Sequence, residues 1–151
     1  MTRRRQVLQA GAASMLGVLS VVVRPAAATP QSLQAAVRAF TGGARVQSMP
    51  GRVLIDIATL VENGNAVPMT LTVASPMTAT DHVLRLALFT ERNPQPDVAV
   101  FHLGPRSGRA VVSTRMRLAT SQQVLAVAQM NDGTFWQQAV DVVVTLAACI
   151  E

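Results

Sequence analysis

The sequence predicts an all-β protein: an immunoglobulin-like antiparallel β-sandwich with a short N-terminal helix. From Arg52 onward, apolar and polar residues alternate with a period of two, which is typical of strands that bury one face. Turn signals rich in Asn, Gly and Pro separate these segments at short intervals, a spacing that favours a sandwich. A chain of 151 residues fits one domain with an appendage.

The predicted helix begins at Pro30, because proline suits the first turn of a helix. Leu33, Val37 and Phe40 follow at spacings that place them on one helical face. The glycine pair at 42–43 is typical of a helix end. We therefore expect one amphipathic helix before the first strand.

Seven segments are predicted to be strands, and turn residues bound them. Asn and Gly in 62–65, and Asn, Asp and Gly in 131–133, favour tight hairpin turns. Pro68 cannot donate to a ladder, so we expect its strand to lie at a sheet edge or to begin at a bulge. The predicted strands are residues 53–60, 67–73, 82–89, 98–103, 110–118, 124–130 and 134–146.

Residues 1–28 have the pattern of an export signal. A basic stretch (3–5) precedes an uncharged apolar run (10–23), and the small residues before Thr29 predict cleavage after Ala28. The run is too short to cross a hydrocarbon core of ~30 Å as a stable helix, so a membrane anchor is the weaker interpretation.

The arginine pair Arg4-Arg5, with Val7 and Leu8 behind it, resembles a twin-arginine (Tat) signal. An ordinary Sec signal is the alternative. Either route predicts a periplasmic mature protein.

The charge of the mature part argues against nucleic-acid binding. All 13 basic residues are arginines, and four of them lie in the signal. The nine that remain are spread among eight acidic residues, so no clustered basic face is expected to neutralise phosphates.

Neither a metal centre, nor a cofactor site, nor a catalytic triad is predicted. His82 and His102 fall on separate strands without a cluster of Cys or acidic residues, so each is interpreted as an edge or surface imidazole. Asp81 and His82 are adjacent, which in a strand points them to opposite faces. Trp136 is interpreted as a core or edge anchor beside the turn at 131–133.

Cys149 is the single cysteine, so no internal disulfide is possible. It follows a strongly β-forming segment and lies between Ala147-Ala148 and Ile150. Two interpretations remain open from its position: an inert cysteine, or a thiol on a short arm that reaches into another protein's active site.

Several short segments occur in one order over roughly residues 39–149. They are Glu62-Asn63-Gly64-Asn65-Ala66-Val67-Pro68, Ser75-Pro76-Met77-Thr78 with Asp81-His82-Val83, Asn93-Pro94-Gln95-Pro96 before Val98–Phe101, Thr114-Arg115-Met116-Arg117-Leu118-Ala119, Ser121-Gln122-Gln123-Val124 to Ala128, and Asp132-Gly133-Thr134-Phe135-Trp136. Each is weak alone, but together they resemble the SoxY family, the sulfur-carrier subunits of the thiosulfate-oxidising (Sox) system.

The resemblance implies a periplasmic carrier without enzymatic activity of its own. It implies a signal peptide (1–28), a SoxY-like sandwich (29–146) and a carrier arm (147–151). It also implies a heterodimer with SoxZ, another small β protein, and covalent attachment of sulfur intermediates to Cys149. A Sox haem protein that conjugates thiosulfate to the thiol and a hydrolase that releases sulfate are the implied docking enzymes.

The arm departs from the Gly-Gly-Cys-Gly-Gly tail of the family. Ala147 and Ala148 keep it slim but stiffer than glycine would, and Ile150 is bulky and β-branched. Glu151 brings a negative charge near the thiol, which disfavours the thiolate. The alternative function is therefore an interaction subunit that keeps the SoxZ-binding sandwich but carries no sulfur.

Overall fold

A computed structural model describes residues 30–146. Over these residues the chain forms one α-helix, nine β-strands and a single 3-10 turn (Pro105–Ser107). The predicted signal, its cleavage position at Ala28 and the predicted arm with Cys149 lie outside the described residues. The elements are α1 (Pro30–Thr41), β1 (Val46–Gln47), β2 (Val53–Ile57), β3 (Leu60–Asn63), β4 (Val67–Val73), β5 (Val83–Thr90), β6 (Asp97–His102), β7 (Val111–Met116), β8 (Gln122–Met130) and β9 (Phe135–Leu146).

The strands form two sheets that pack as a sandwich, so the predicted fold class is confirmed. One sheet has the order β1-β9-β8-β5-β6, with β3 also paired to β9, and the other has the order β2-β4-β7. All pairs are antiparallel except two, since the short strands β1 and β3 both run parallel to β9.

The chain changes sheets where one continuous strand was predicted over 53–60. β2 pairs with β4 in the three-stranded sheet, and β3 joins β9 in the other. The residues between them, Ala58 and Thr59, make the crossing. Odd-numbered residues face inward on both sides of it, as Val53, Ile55 and Val61 are buried, so the alternation itself does not reveal the break.

The expectation of an edge strand at Pro68 is wrong, because β4 is the central strand of its sheet. The ladder to β2 begins at Met69, one residue later, so the proline lies beyond the end of β2 and no bulge is needed. The missing N–H is tolerated because β4 has only one neighbour at that position, Arg115 of β7.

Two apolar clusters hold the layers together. The larger lies between the sheets and includes Leu71, Leu86 and Val124, all fully buried. The smaller lies between α1 and the outer face of the six-stranded sheet. There the Phe40 ring meets Phe89 at 5.9 Å and Phe135 at 6.0 Å between centroids, both edge to face.

A single arginine fixes the C-terminal end of α1 on the sheet. Arg85 of β5 stacks its guanidinium over the Phe40 ring at 4.4 Å from the centroid. Its Nη2 donates to the Phe40 carbonyl oxygen (3.2 Å) and its Nε to Gln129 Oε1 (2.6 Å). One side chain therefore satisfies a terminal carbonyl of the helix and links it to β5 and β8.

Of the two predicted hairpin turns, the one at 131–133 joins β8 to β9. The prediction for 62–65 is wrong, because β3 pairs with β9 whereas β4 lies in the other sheet. Asp132 Oδ1 accepts hydrogen bonds from the Thr134 amide (2.9 Å) and hydroxyl (2.7 Å), and Gly133 adopts a φ of 85°. Trp136 follows, half-buried against the core, with its Nε1 donating to Thr134 Oγ1 (3.1 Å) and the Arg52 guanidinium 5.4 Å from its ring. Its interpretation as an anchor is confirmed.

We expect the turn to make stability depend on pH. The Thr134 hydroxyl, then the Thr134 amide, and more weakly the charge of Arg52, hold the pKa of Asp132 below its ordinary 3.8. The unfolded chain therefore binds this proton at a higher pH than the folded one. The stabilisation is complete above the unfolded pKa and is lost as the pH falls through the folded pKa.

Asp132→Ala should thus lower the free energy of unfolding by roughly 0.5 kcal/mol at neutral pH, because the carboxylate is exposed and its hydrogen bonds compete with water. The difference from wild type should narrow below about pH 3. Urea unfolding across this range measures it. Thr134→Val, which removes the main donor and keeps the β-branched shape, should give part of the same effect. A difference that stays constant over the whole range would contradict the assignment.

Candidate functional site

The predicted carrier thiol lies three residues beyond the last described residue, so the structure shows the base from which the arm departs. We define the arm base as the end of β9 from Val143 to Leu146 together with Gly64 and Ser121, which bind it. It joins one end of the six-stranded sheet to two loops of the sandwich.

On one edge, the end of β9 is paired with β3. The register joins Leu60 to Val143 and Asn63 to Leu146. The Val143 amide donates to the Thr59 carbonyl oxygen (2.8 Å), and the Thr145 hydroxyl donates to the Glu62 carbonyl oxygen (3.2 Å). The last four residues of the strand are therefore bonded along this edge although β8 does not accompany them.

On the other edge, pairing with β8 ends at the partners Gln122 and Val142. One hydroxyl takes over from the missing strand: Ser121 Oγ accepts from the Val144 amide (2.9 Å) and donates to the Val144 carbonyl oxygen (3.3 Å). The Ser121 hydroxyl thus provides the hydrogen-bond acceptor and the donor that the backbone of a longer β8 would provide.

Gly64 connects the arm base to the second sheet. Its amide donates to the Leu146 carbonyl oxygen (3.0 Å), and its own carbonyl oxygen accepts from the Leu118 amide (2.8 Å), just after β7. The glycine is buried. Leu146 is consequently tied to both layers of the sandwich, and the arm leaves from a fixed point.

A pair of side-chain amides, half-buried Asn93 and buried Gln122, stiffens the loops next to Ser121. Asn93 Oδ1 accepts from the Ala119 amide (2.9 Å) and from Gln122 Nε2 (2.8 Å), while Asn93 Nδ2 donates to the Arg117 carbonyl oxygen (2.8 Å). Gln122 is buried, and its Oε1 accepts from the Arg92 amide (2.8 Å). Both side-chain amides are fully engaged in holding the loops together.

The arm base was not predicted from the sequence as a unit, although Gly64 and Ser121 in it, and Asn93 and Gln122 beside it, fall in segments that carry the family resemblance. Gly64, Asn93, Ser121 and Gln122 belong to three such segments, far apart in the chain. All four are small or amide residues beside turns. Such residues indicate where the chain turns, but they do not indicate which loops come together in the fold.

The two histidines are not brought into a metal site. His82 Nδ1 lies 2.9 Å from the Thr78 carbonyl oxygen, and His102 is exposed on β6. Within residues 30–146 no three His, Cys, Asp or Glu side chains come together in a way that would hold a metal ion. In the same range no helix is long and apolar enough to cross a membrane.

The family model of the sulfur oxidation protein SoxY matches residues 37–149. This match spans all the described strands and extends to Cys149. No curated protein matches the chain.

Among solved structures, the sulfur carrier protein SoxY from Chlorobium limicola f thiosulfatophilum is similar with a TM-score of 0.65 and 29% identity, over 77% of this chain and 98% of that one. A variant of the superoxide reductase (neelaredoxin) from Ignicoccus hospitalis has a TM-score of 0.57 and 14% identity, over 66% of this chain and 94% of that one. A putative superoxide reductase from Thermotoga maritima has a TM-score of 0.57 and 18% identity, over 66% of this chain and 93% of that one. The two reductases show likeness of fold alone.

We expect Ser121→Ala to loosen the arm base without unfolding the sandwich. Loss of the hydroxyl leaves both backbone groups of Val144 without their partner on that edge, at a cost of about 1 kcal/mol. Amide hydrogen exchange at Val144 should become roughly fivefold faster if it proceeds by local opening. Ser113→Ala is the matched control, since its hydroxyl bonds Thr70 (3.0 Å) in the other sheet. Unchanged protection of Val144 would show that Ser121 does not hold the strand end.

Proposed function

The chain belongs to the SoxY family, and on this premise we propose that it is a periplasmic carrier of thiosulfate oxidation that holds sulfur intermediates covalently on Cys149. The observation that carries the proposal is the position of this cysteine. The family match reaches it, and it follows a strand whose end is bonded on both edges. The strand end thus gives the cysteine a fixed attachment three residues away.

The chemistry needs only a thiol from this chain. In loading, the cysteine sulfur forms a bond to the outer sulfur of thiosulfate and gives a thiosulfonate adduct (Cys–S–S–SO₃⁻). The thiol proton goes to solvent, and two electrons pass to an acceptor, for which the haem of the partner enzyme is the proposed class. In release, water cleaves the S–SO₃⁻ bond. Sulfate and two protons leave, and the sulfane sulfur stays on the cysteine as a persulfide.

We propose that partner enzymes perform these steps and that this chain is not itself an enzyme. The proposed partners are a Sox haem protein for loading and a hydrolase for release. This division of labour follows the family resemblance.

We also propose a heterodimer with a SoxZ-like small β protein. Edge strands expose unpaired backbone groups and are usually covered. β6 is an edge strand, and Val98 and Val100 are exposed on it. A second β protein that covers such an edge would remove this liability.

The second candidate is a SoxY-like subunit that binds its partner but carries no sulfur. The observation in its favour is the Ile150 and Glu151 side chains where the family has glycine. The two candidates predict different masses for protein purified from thiosulfate-grown cells, because only a carrier shows adducts that reduction removes.

The decisive variant is Cys149→Ser. For a carrier, it should abolish every sulfur adduct and the thiosulfate oxidation that depends on this chain, while the melting temperature barely moves, because the residue lies past the last strand. Intact mass spectrometry with and without reductant, together with thermal unfolding, measures both. Thiosulfate oxidation that proceeds unchanged in the variant would reject the carrier in favour of the second candidate.

The export route is tested by replacing Arg4 and Arg5 together with lysine. If the signal is of the Tat type, the precursor should stay in the cytoplasm, whereas a Sec signal would tolerate the change since it needs only positive charge. Fractionation and N-terminal sequencing measure this. The mature chain should begin at Thr29. Periplasmic accumulation of the variant at the wild-type level would point to Sec.

A further inference from the structure

Three large apolar side chains at the arm base or paired with it are exposed. Leu60 is 64% exposed, Leu146 61% and Val143 53%, which makes them the most exposed large apolar residues in the part of the chain that the structure describes. Leu60 and Val143 are register partners on β3 and β9 and share the outer face of the sheet. Leu146, the last described residue of β9, comes three residues after Val143, so it belongs to the other face at the end of the strand. We call these three residues the apolar collar.

The collar is not a by-product of core packing. Val61, Val142 and Val144, the sequence neighbours of Leu60 and Val143, belong to the core between the sheets or pack against it. Alternation along the strands therefore turns Leu60 and Val143 outward. Polar residues with high β propensity would serve the strand pairing equally well. The exposed, adjacent pair Leu60 and Val143 therefore marks an interaction surface.

Two carboxylates flank the collar. Glu62 on β3 and Asp141 on β9 are exposed, and each lies two residues from a collar residue on its own strand, hence on the same face. An apolar centre with a polar border is the usual anatomy of a protein interface. The border here is negative, so the complementary surface is apolar with basic residues around it.

The short spacer sets how close a partner must come. Only Ala147 and Ala148 separate Leu146 from Cys149. Three residues of fully extended chain span at most about 11 Å between the Cα atoms of Leu146 and Cys149. An active site that takes up this thiol must therefore bring the protein around its opening to within that distance of Leu146, where the collar lies.

We propose that the apolar collar is the docking surface for the rim of the enzyme active site that receives Cys149, a rim that is apolar and bordered by basic residues. This inference rests on the proposed carrier function and adds the surface by which an enzyme recognises the carrier. A SoxZ-like subunit and a second copy of this chain are the other possible occupants, and the test separates them.

The test uses the mature protein purified with any subunit that accompanies it, the Sox haem protein of the same host as the probe, thiosulfate and an electron acceptor. Leu60→Thr and Val143→Thr are combined, since threonine keeps β propensity and both side chains are exposed. Loading of Cys149 is followed by intact mass at increasing concentrations of haem protein. We expect the concentration for half-maximal loading rate to rise about tenfold with little change in the maximal rate.

Leu54→Thr is the matched control, because Leu54 is an exposed leucine on the outer face of the other sheet, and it should leave loading unchanged. The rate of Cys149 alkylation by iodoacetamide should be the same in all variants, which shows that the thiol itself is unaltered. Glu62→Lys should weaken loading several-fold at low ionic strength and approach wild type at high salt, whereas Asp56→Lys on the other sheet should not.

Each other result overturns the proposal in a distinguishable way. If wild type is never loaded, the carrier function fails and the docking surface with it. If wild type is loaded and the double variant is loaded equally well, only the docking surface fails. If the double variant loses its accompanying subunit, or changes from dimer to monomer in size exclusion, the collar is a subunit interface instead.

Discussion

The hydrogen-bonding groups of β9 must be satisfied along both edges over twelve residues, and no single neighbour is long enough to do this. β8 accompanies it up to Val142, β1 covers its beginning and β3 its end. β9 is also hydrogen-bonded to the other sheet, since Gln138 Oε1 accepts from the backbone amide of Ile55 in β2 (2.6 Å). The parallel pairs, the Ser121 bridge and the close contact between sheets all follow from accommodating this one strand.

The helix α1 covers only one half of the outer face of the six-stranded sheet. Toward Phe135, α1 lies on the sheet through the phenylalanine cluster and the Arg85 contact, and this half is closed. Toward Leu146 the helix does not extend, and Leu60 and Val143 face outward. The same strand is therefore buried where it begins and accessible where it ends.

Periodicity and turn chemistry were sufficient to predict the sandwich, the helix ends and the β8–β9 hairpin, because each depends on residues close in sequence. They failed at the division between β2 and β3, where alternation keeps the same phase across Ala58-Thr59, and at Pro68, where a central strand extends past its neighbour. The hydrogen bonds of Ser121 could not be predicted from the local sequence pattern, because their partner, Val144, lies 23 residues later in the chain. The role of Cys149 depends on a partner's chemistry, which no pattern within one chain encodes.

The bonding of the last four residues of β9 also determines how the carrier responds to mechanical load. A pull along the axis of β9, such as the proposed uptake of the arm by an enzyme would exert, strains the bonds to β3 and to Ser121 in shear, so that they share the force. A pull at right angles to the strand would instead concentrate the force on the bond from Gly64 to Leu146, and then on each bond behind it in turn. The end of β9 therefore resists a force along the strand axis better than a force that separates it sideways from β3.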